Sequence, residues 1–227
     1  MSQSKSLLTA RRNFLKNSAA IGALALGAKA AQAADSCRST PKQSLGPFYP
    51  GEKNFGADLD LTSVPGRPAR AIGKVVYVTG KVLDVECRPL ENANVEIWQA
   101  CASGRYNHDR DPNSAPLDPN FRYWSEAFTN KNGEYLFKTI IPGAYPADVD
   151  WIRPPHIHFR ITKLGYKELV TQMYFAGESL NVTDHLLNQV PGQERNSLIV
   201  NFQPVGADLE PGTLIGSFSI TLSRVRG

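Results

Sequence analysis

Beyond Lys74, apolar and polar residues alternate in short runs, and no helical stripe is sustained. Period-two alternation places successive side chains on opposite faces of a strand. The valine-rich run Lys74–Glu86 predicts one long strand. Asn94–Ala100 predicts a second, with Val95 and Ile97 alternating against Glu96 and Trp98. Ser125–Thr129 and Glu134–Ile140, joined by Lys131-Asn132-Gly133, predict a hairpin, because Asn-Gly favours the tight turns of hairpins. His156–Thr162 and Glu168–Phe175 predict a further pair, turning near Leu164-Gly165. Leu198–Phe202 and Leu214–Val225 close the chain. In the last run Phe218, Ile220 and Leu222 alternate with Ser217, Ser219 and Thr221. Residues 176–196 are polar, with a short helix expected within Val182–Gln189. About eight short strands at this spacing argue for an all-β fold: a single β-sandwich domain with long functional loops.

The strand His156–Thr162 carries the chemistry. Ile157, Phe159 and Ile161 make one apolar face, and His156, His158 and Arg160 make the other. The two imidazoles then stand ~7 Å apart along the strand, a spacing from which both can reach one metal ion. A half-exposed strand with wet histidines fits the same pattern. Pro154 and Pro155 hold the approach extended, which suits a site that must be rigid. Two tyrosines stand in loops: Tyr106 in Gly104-Arg105-Tyr106 and Tyr145 in Pro142-Gly143-Ala144-Tyr145-Pro146. Taken singly, each reads equally as a packing residue. The polar stretch Gly104–Asn120 is long for a connection in a compact domain, and such loops are functional or disordered.

Composition changes the picture at the N-terminus. Residues 9–16 hold a twin-arginine motif, Arg11-Arg12, followed by the apolar run Ser18–Ala28 and a small-residue cleavage site at Ala31-Gln32-Ala33. Residues 1–33 therefore read as an export signal, with a periplasmic or secreted mature protein reached in the folded state. The run is too short to span a bilayer. The chain has 25 Lys and Arg and 21 Asp and Glu; five of the basic residues and none of the acids lie in the first 33 positions. The remaining 20 against 21 give no argument for nucleic acid or an anionic membrane as partner. Residues 34–73, rich in Pro, Gly and charge, read as an extended N-terminal arm before a catalytic domain at 74–227. Cys37, Cys87 and Cys101 allow one disulfide, and three pairings stay open.

Taken together, the motifs resemble those of the intradiol ring-cleavage dioxygenases, especially the iron-binding β subunit of protocatechuate 3,4-dioxygenase. The matching pieces are Thr40–Tyr49, Gly104-Arg105-Tyr106, Ala115–Phe121, Pro142–Pro146, Arg153–Phe159 and Gln172–Phe175, in the family's order. The resemblance implies a non-haem Fe(III) held by Tyr106, Tyr145, His156 and His158. Phenolate is a hard donor that favours the ferric state, whereas two histidines and a carboxylate suit Fe(II). It also implies a catecholic substrate, O2 as co-substrate and a cis,cis-muconate-type product. In this scheme Tyr145 gives way to the substrate and takes up a proton. Arg153 stabilises negative charge near the ring, and Gln172 positions oxygen species. Two other readings use the same residues: a non-catalytic β-sandwich binding subunit, and a zinc or copper protein relying on the histidine pair. Arg153 could instead pair with Asp148 or Asp150 at the surface. A homo-oligomer is expected, with Gly46-Pro47-Phe48-Tyr49 either buried between chains or lining the pocket of its own chain.

Overall fold

A computed structural model of the chain describes residues 38–51, 58–206 and 209–225. Residues 1–33, expected to be an export signal, and Cys37 lie outside them. The described residues form a sandwich of two five-stranded sheets and a two-stranded ribbon. In the first sheet, β1 (Val75–Asp84) pairs antiparallel with β4 (Glu134–Ile140) along one edge. Its other edge is shared in succession by β11 (Leu214–Ser217) and β12 (Ile220–Leu222), both parallel to it. A short β10 (Gln203–Pro204) pairs with β11. The second sheet runs β3 (Trp124–Phe128), β2 (Asn94–Trp98), β7 (His156–Thr162), β8 (Leu169–Phe175) and β9 (Ile199–Val200). The ribbon is β5 (Tyr145–Asp148) with β6 (Trp151–Arg153).

The two sheets bury their facing apolar residues against each other. Val76, Val78 and Val82 of β1, Phe137 of β4, and Ile157, Phe159 and Ile161 of β7 are fully enclosed. Burying each such side chain contributes roughly 1.5–3 kcal/mol. Among the described residues, no helix is long and apolar enough to cross a membrane.

Two expectations change. Residues 125–140 do not make a hairpin: β3 pairs with β2 and β4 pairs with β1, in different sheets. The turn itself forms, with the Asn130 side chain accepting from Asn132 and Glu134 N–H. Its exit, however, is claimed by β1, whose Val82 N–H donates to Gly133 O. The Thr129 hydroxyl meanwhile donates to Leu90 O and accepts from Ala93 N–H, tying the end of β3 to the segment before β2. The chain thus arches from one sheet to the other, which lets both strands bury an apolar face. The last predicted strand is likewise two strands, broken at Phe218-Ser219. There Phe218 N–H donates to Thr79 O and its ring enters the core.

The segment from Thr40 lies extended along the molecule. Thr40 N–H donates to Thr221 O, and Gln43 N–H donates to Val170 O. Leu61 and Thr62 are fully buried, so part of this arm belongs to the core. Cys87 is disulfide-bonded, and Cys101 is a buried free thiol.

Candidate active site

The outer face of the β3-β2-β7-β8-β9 sheet carries the second, smaller cluster of buried residues: Trp98, Ala100, Tyr106, Trp124, Tyr145 and Val170. Strand register assembles it. Trp98 of β2, His158 of β7 and Gln172 of β8 stand opposite one another in one row, and His156 and Tyr174 pair in the next. Directly opposed residues of an antiparallel pair share a face and touch. The Trp98 ring lies flat on His158, with centroids 4.8 Å apart and planes 12° apart.

The tyrosines arrive from loops held by backbone contacts. Gly104 has φ +83°, and a Cβ there would stand 2.2 Å from Ala144 O. The two tyrosine-bearing segments can therefore lie this close only with glycine at that position. The long loop at 104–120 is ordered by its own short side chains. Asp111 accepts from Tyr106 N–H at 2.6 Å, Asn113 donates to Gly104 O, and Asp118 accepts from Ile72 N–H. Tyr145 opens β5, directly across from Arg153 at the end of β6. This ribbon is short and contains Pro146, and periodicity gave no sign of it.

Tyr106, Tyr145, His156 and His158 are thus brought together, all buried. The tyrosine rings meet edge-on at 5.5 Å, and Tyr145 lies 5.7 Å from His156. His156 Nδ1–H donates to Pro154 O at 2.6 Å, which leaves a lone pair on its Nε2. That nitrogen faces His158 Nε2 at 3.2 Å, Arg153 Nη1 at 3.1 Å and the Tyr106 hydroxyl at 3.5 Å. His158 Nδ1 is buried without a partner. Burial, then the nearby Arg153 charge, holds both imidazoles well below their usual pKa, so they are neutral. Burial pushes Tyr106 well up, with the Tyr145 charge adding to it, and burial raises Tyr145 despite Arg153. Neutral imidazole nitrogens and phenol oxygens converging in a closed pocket fit a cation that takes phenolate on binding. Among the described residues no group of three or more His, Cys, Asp or Glu is placed to hold a metal ion, and the oxygen donors beside the histidine pair are those of the tyrosines.

Arg153 is not at the surface with Asp148 or Asp150. It is buried, and its Nε and Nη2 form a fork on Asp184 at 3.0 and 3.2 Å. Nη2 also donates to Gln172 Oε1 and the Tyr174 hydroxyl. Gln172 in turn donates to Ser44 O, and Tyr174 donates to Gln43 Oε1. The amide of Gln172 is therefore committed to Arg153, Tyr174 and the arm. Asp184 and Trp98 are site residues outside the motif pieces, and Gln43 and Tyr174 lie within them with no role assigned from the sequence. The arm covers its own chain's site. A Cβ on Gly46, at φ +73°, would stand 3.0 Å from His158 Cε1, and Phe48 packs 4.8 Å from Tyr106. Tyr49 turns away to Trp98, donating to Glu96 and accepting from Arg160.

Residues 45–222 match the Dioxygenase family (Dioxygenase_C). The chain is 41% identical over 165 residues to the protocatechuate 3,4-dioxygenase beta chain of Burkholderia cepacia, covering 71% of this chain and 70% of that one. The chain belongs to the intradiol ring-cleavage dioxygenases. Solved structures agree. The dioxygenase domain of a dioxygenase–carbohydrate-binding protein fusion from Streptomyces sp. SirexAA-E superposes with TM-score 0.62 at 27% identity, covering 82% of this chain and 99% of that one. A 3-chlorocatechol 1,2-dioxygenase from Rhodococcus opacus 1CP gives TM-score 0.65 at 23% identity over 86% of this chain and 76% of its own, a likeness of fold. As an intradiol dioxygenase, the chain presents its motif residues in one pocket rather than scattered over the sandwich.

Proposed function

We propose that this intradiol dioxygenase cleaves a catecholic ring between its two hydroxyl-bearing carbons, using a non-haem Fe(III) and O2, to a cis,cis-muconate-type diacid. One observation carries the reading: Tyr106, Tyr145, His156 and His158, from separate segments, turn their donor atoms into one buried pocket with the histidine Nε2 atoms 3.2 Å apart. Those four side chains would hold the metal. Ferric iron held there would supply the Lewis acidity that activates a bound catecholate toward O2.

The chain's own residues do the rest. Tyr145 accepts a proton from an incoming catechol hydroxyl at its phenolate oxygen. It stands on a two-stranded ribbon outside the two main sheets. Arg153 is always charged and presents a planar fork of donors. Its Nη1, 3.1 Å from His156 Nε2, stands where negative charge develops on the substrate oxygens. Gln172 and Tyr174 hold that guanidinium from the sheet side. Phe48, Tyr106 and Trp98 wall the pocket with aromatic surface and exclude water.

The chain is further read as a homo-oligomer exported folded by the twin-arginine route, with residues 34–73 as its arm and 74–227 as its catalytic domain. Sedimentation of the mature protein and cell fractionation test these readings. The test of function is oxygen uptake with catechol, protocatechuate, hydroxyquinol and lignin- or tannin-derived catechols. One oxygen consumed per ring, with a muconate-type product, is expected. No uptake on any of them by an iron-loaded protein would return the chain to a binding role.

A further inference from the structure

We propose that Asp184 is a positioning residue for catalysis: it aims the Arg153 guanidinium at the reacting oxygens and offsets its charge beside the metal-binding histidines. The inference rests on the role given to Arg153 above. Arg153 and Asp184 are both buried, with side chains 4% and 0% exposed, so their fork is shielded from solvent and salt. The carboxylate grips two different nitrogens, Nε and Nη2, which fixes the plane of the guanidinium. Fixing that plane leaves Nη1 turned toward His156 Nε2. Asp184 is itself held from a third direction. It caps α1 (His185–Asn188), its Oδ1 accepting from Leu187 N–H at 2.8 Å. Gln43 clamps the opposite end through the Tyr174 hydroxyl and Leu186 O. The carboxylate therefore cannot swing without unmaking the helix start.

Charge points the same way. A buried guanidinium beside two imidazoles repels a cation placed between them unless a carboxylate neutralises it. Of the side chains that touch Arg153 here, Gln172, Tyr174, His156 and Trp151 are uncharged, Tyr145 carries charge only as a metal-bound phenolate, and Asp184 is the one carboxylate. Asp148 and Asp150, nearer in sequence, are exposed on the ribbon.

A double-mutant cycle tests the inference. Arg153→Ala, Asp184→Asn, the combination of both, and Asp184→Glu are each scored as turnover per bound iron on catechol and on protocatechuate. Iron content and the visible charge-transfer band are read alongside. Asn keeps an oxygen for the Leu187 cap but turns an amide donor against the guanidinium, which breaks the fork. Turnover per iron should fall ~10²–10³-fold in Arg153→Ala, the scale for one transition-state donor. It should fall about 10- to 100-fold in Asp184→Asn, with KM within about threefold and the band retained. Asp184→Glu should recover most of the loss. The combined variant should be no more than about threefold slower than Arg153→Ala, since Asp184 acts through Arg153. Losses that multiply in the combined variant overturn the inference. So does an Asp184→Asn protein that merely loses iron while each remaining iron turns over at the wild-type rate. Wild-type turnover in Arg153→Ala removes Arg153 from the mechanism, a separate failure that the single variant reveals by itself.

Discussion

Strand β7 has two faces, and they are made of different matter. Inward, Ile157, Phe159 and Ile161 are fully enclosed between the sheets. Outward, His156 and His158 are almost as buried, packed against aromatic rings and polar groups. The inner face holds the fold by area alone. The outer face is closed by loops and by the Gly46–Tyr49 stretch of the arm, whose contacts exclude water from nitrogen and oxygen donors. The same strand thus separates stability from chemistry, and substitutions on its two faces should have separable effects.

The largest effect should come from His158→Ala. It removes one of the two facing Nε2 atoms, so iron content and ring cleavage should both collapse. The loss should exceed the ~10–100-fold typical of losing only a partner of a metal ligand. Thermal unfolding of the metal-free protein should stay close to wild type; a large drop there would mean that the outer face is part of the structural core. Phe159→Ala, one residue along, should do the reverse. A fully buried Phe removed from the core costs about 3–5 kcal/mol, read by denaturant unfolding, while the folded fraction keeps its iron and its turnover per iron.

Gly46→Ala should be smaller and fall on the outer face. A side chain at φ +73° costs roughly 1–2 kcal/mol, and its Cβ presses on His158. Iron affinity should weaken by roughly tenfold, measured by chelator competition, while unfolding in denaturant shifts by no more than that backbone cost. The smallest effect should come from a second Arg–carboxylate fork, far from the site. Asp84 is buried at the end of β1 and accepts from Arg88 Nε and Nη2 and from two backbone N–H groups, but Arg88 lies half in water. Burial works to raise the Asp84 pKa, and Arg88 outweighs it, holding the carboxyl well below the usual carboxylate range. A depressed folded pKa stabilises above the unfolded carboxylate pKa and is lost as pH falls through the folded value. Asp84→Asn should therefore be less stable than wild type at neutral pH and converge with it in acid, with turnover untouched throughout. A constant stability difference down to acid pH would remove the ion pair from that account.

How far the chain could be read in advance follows from which physics is local. Alternation of His156 and His158 with Ile157 and Phe159 is a property of one strand, so both faces of β7 were visible in the sequence. The choice of sheet is not local. Asn132-Gly133 announces a turn but not whether the next strand returns beside the last one or crosses to the opposite layer. The meeting of Tyr106 and Tyr145 depends on two loops packed backbone to backbone at Gly104. Only the order of family motifs suggested it. Asp184 sits in a polar run, and its one local sign is an Asp directly before a short apolar helical stretch, which marks an N-cap. That the same carboxylate would also meet Arg153 with both oxygens depends on the tertiary fold.

Whether two tyrosines and two histidines hold ferric iron is decided by metal analysis joined to visible absorption. The purified mature protein should contain about one iron per chain and be coloured by tyrosinate-to-iron charge transfer. Tyr145→Phe should shift that band, and Tyr106→Phe should bleach it or release the metal. Zinc or copper in place of iron, or a colourless protein that still binds iron and cleaves catechols, would contradict the account.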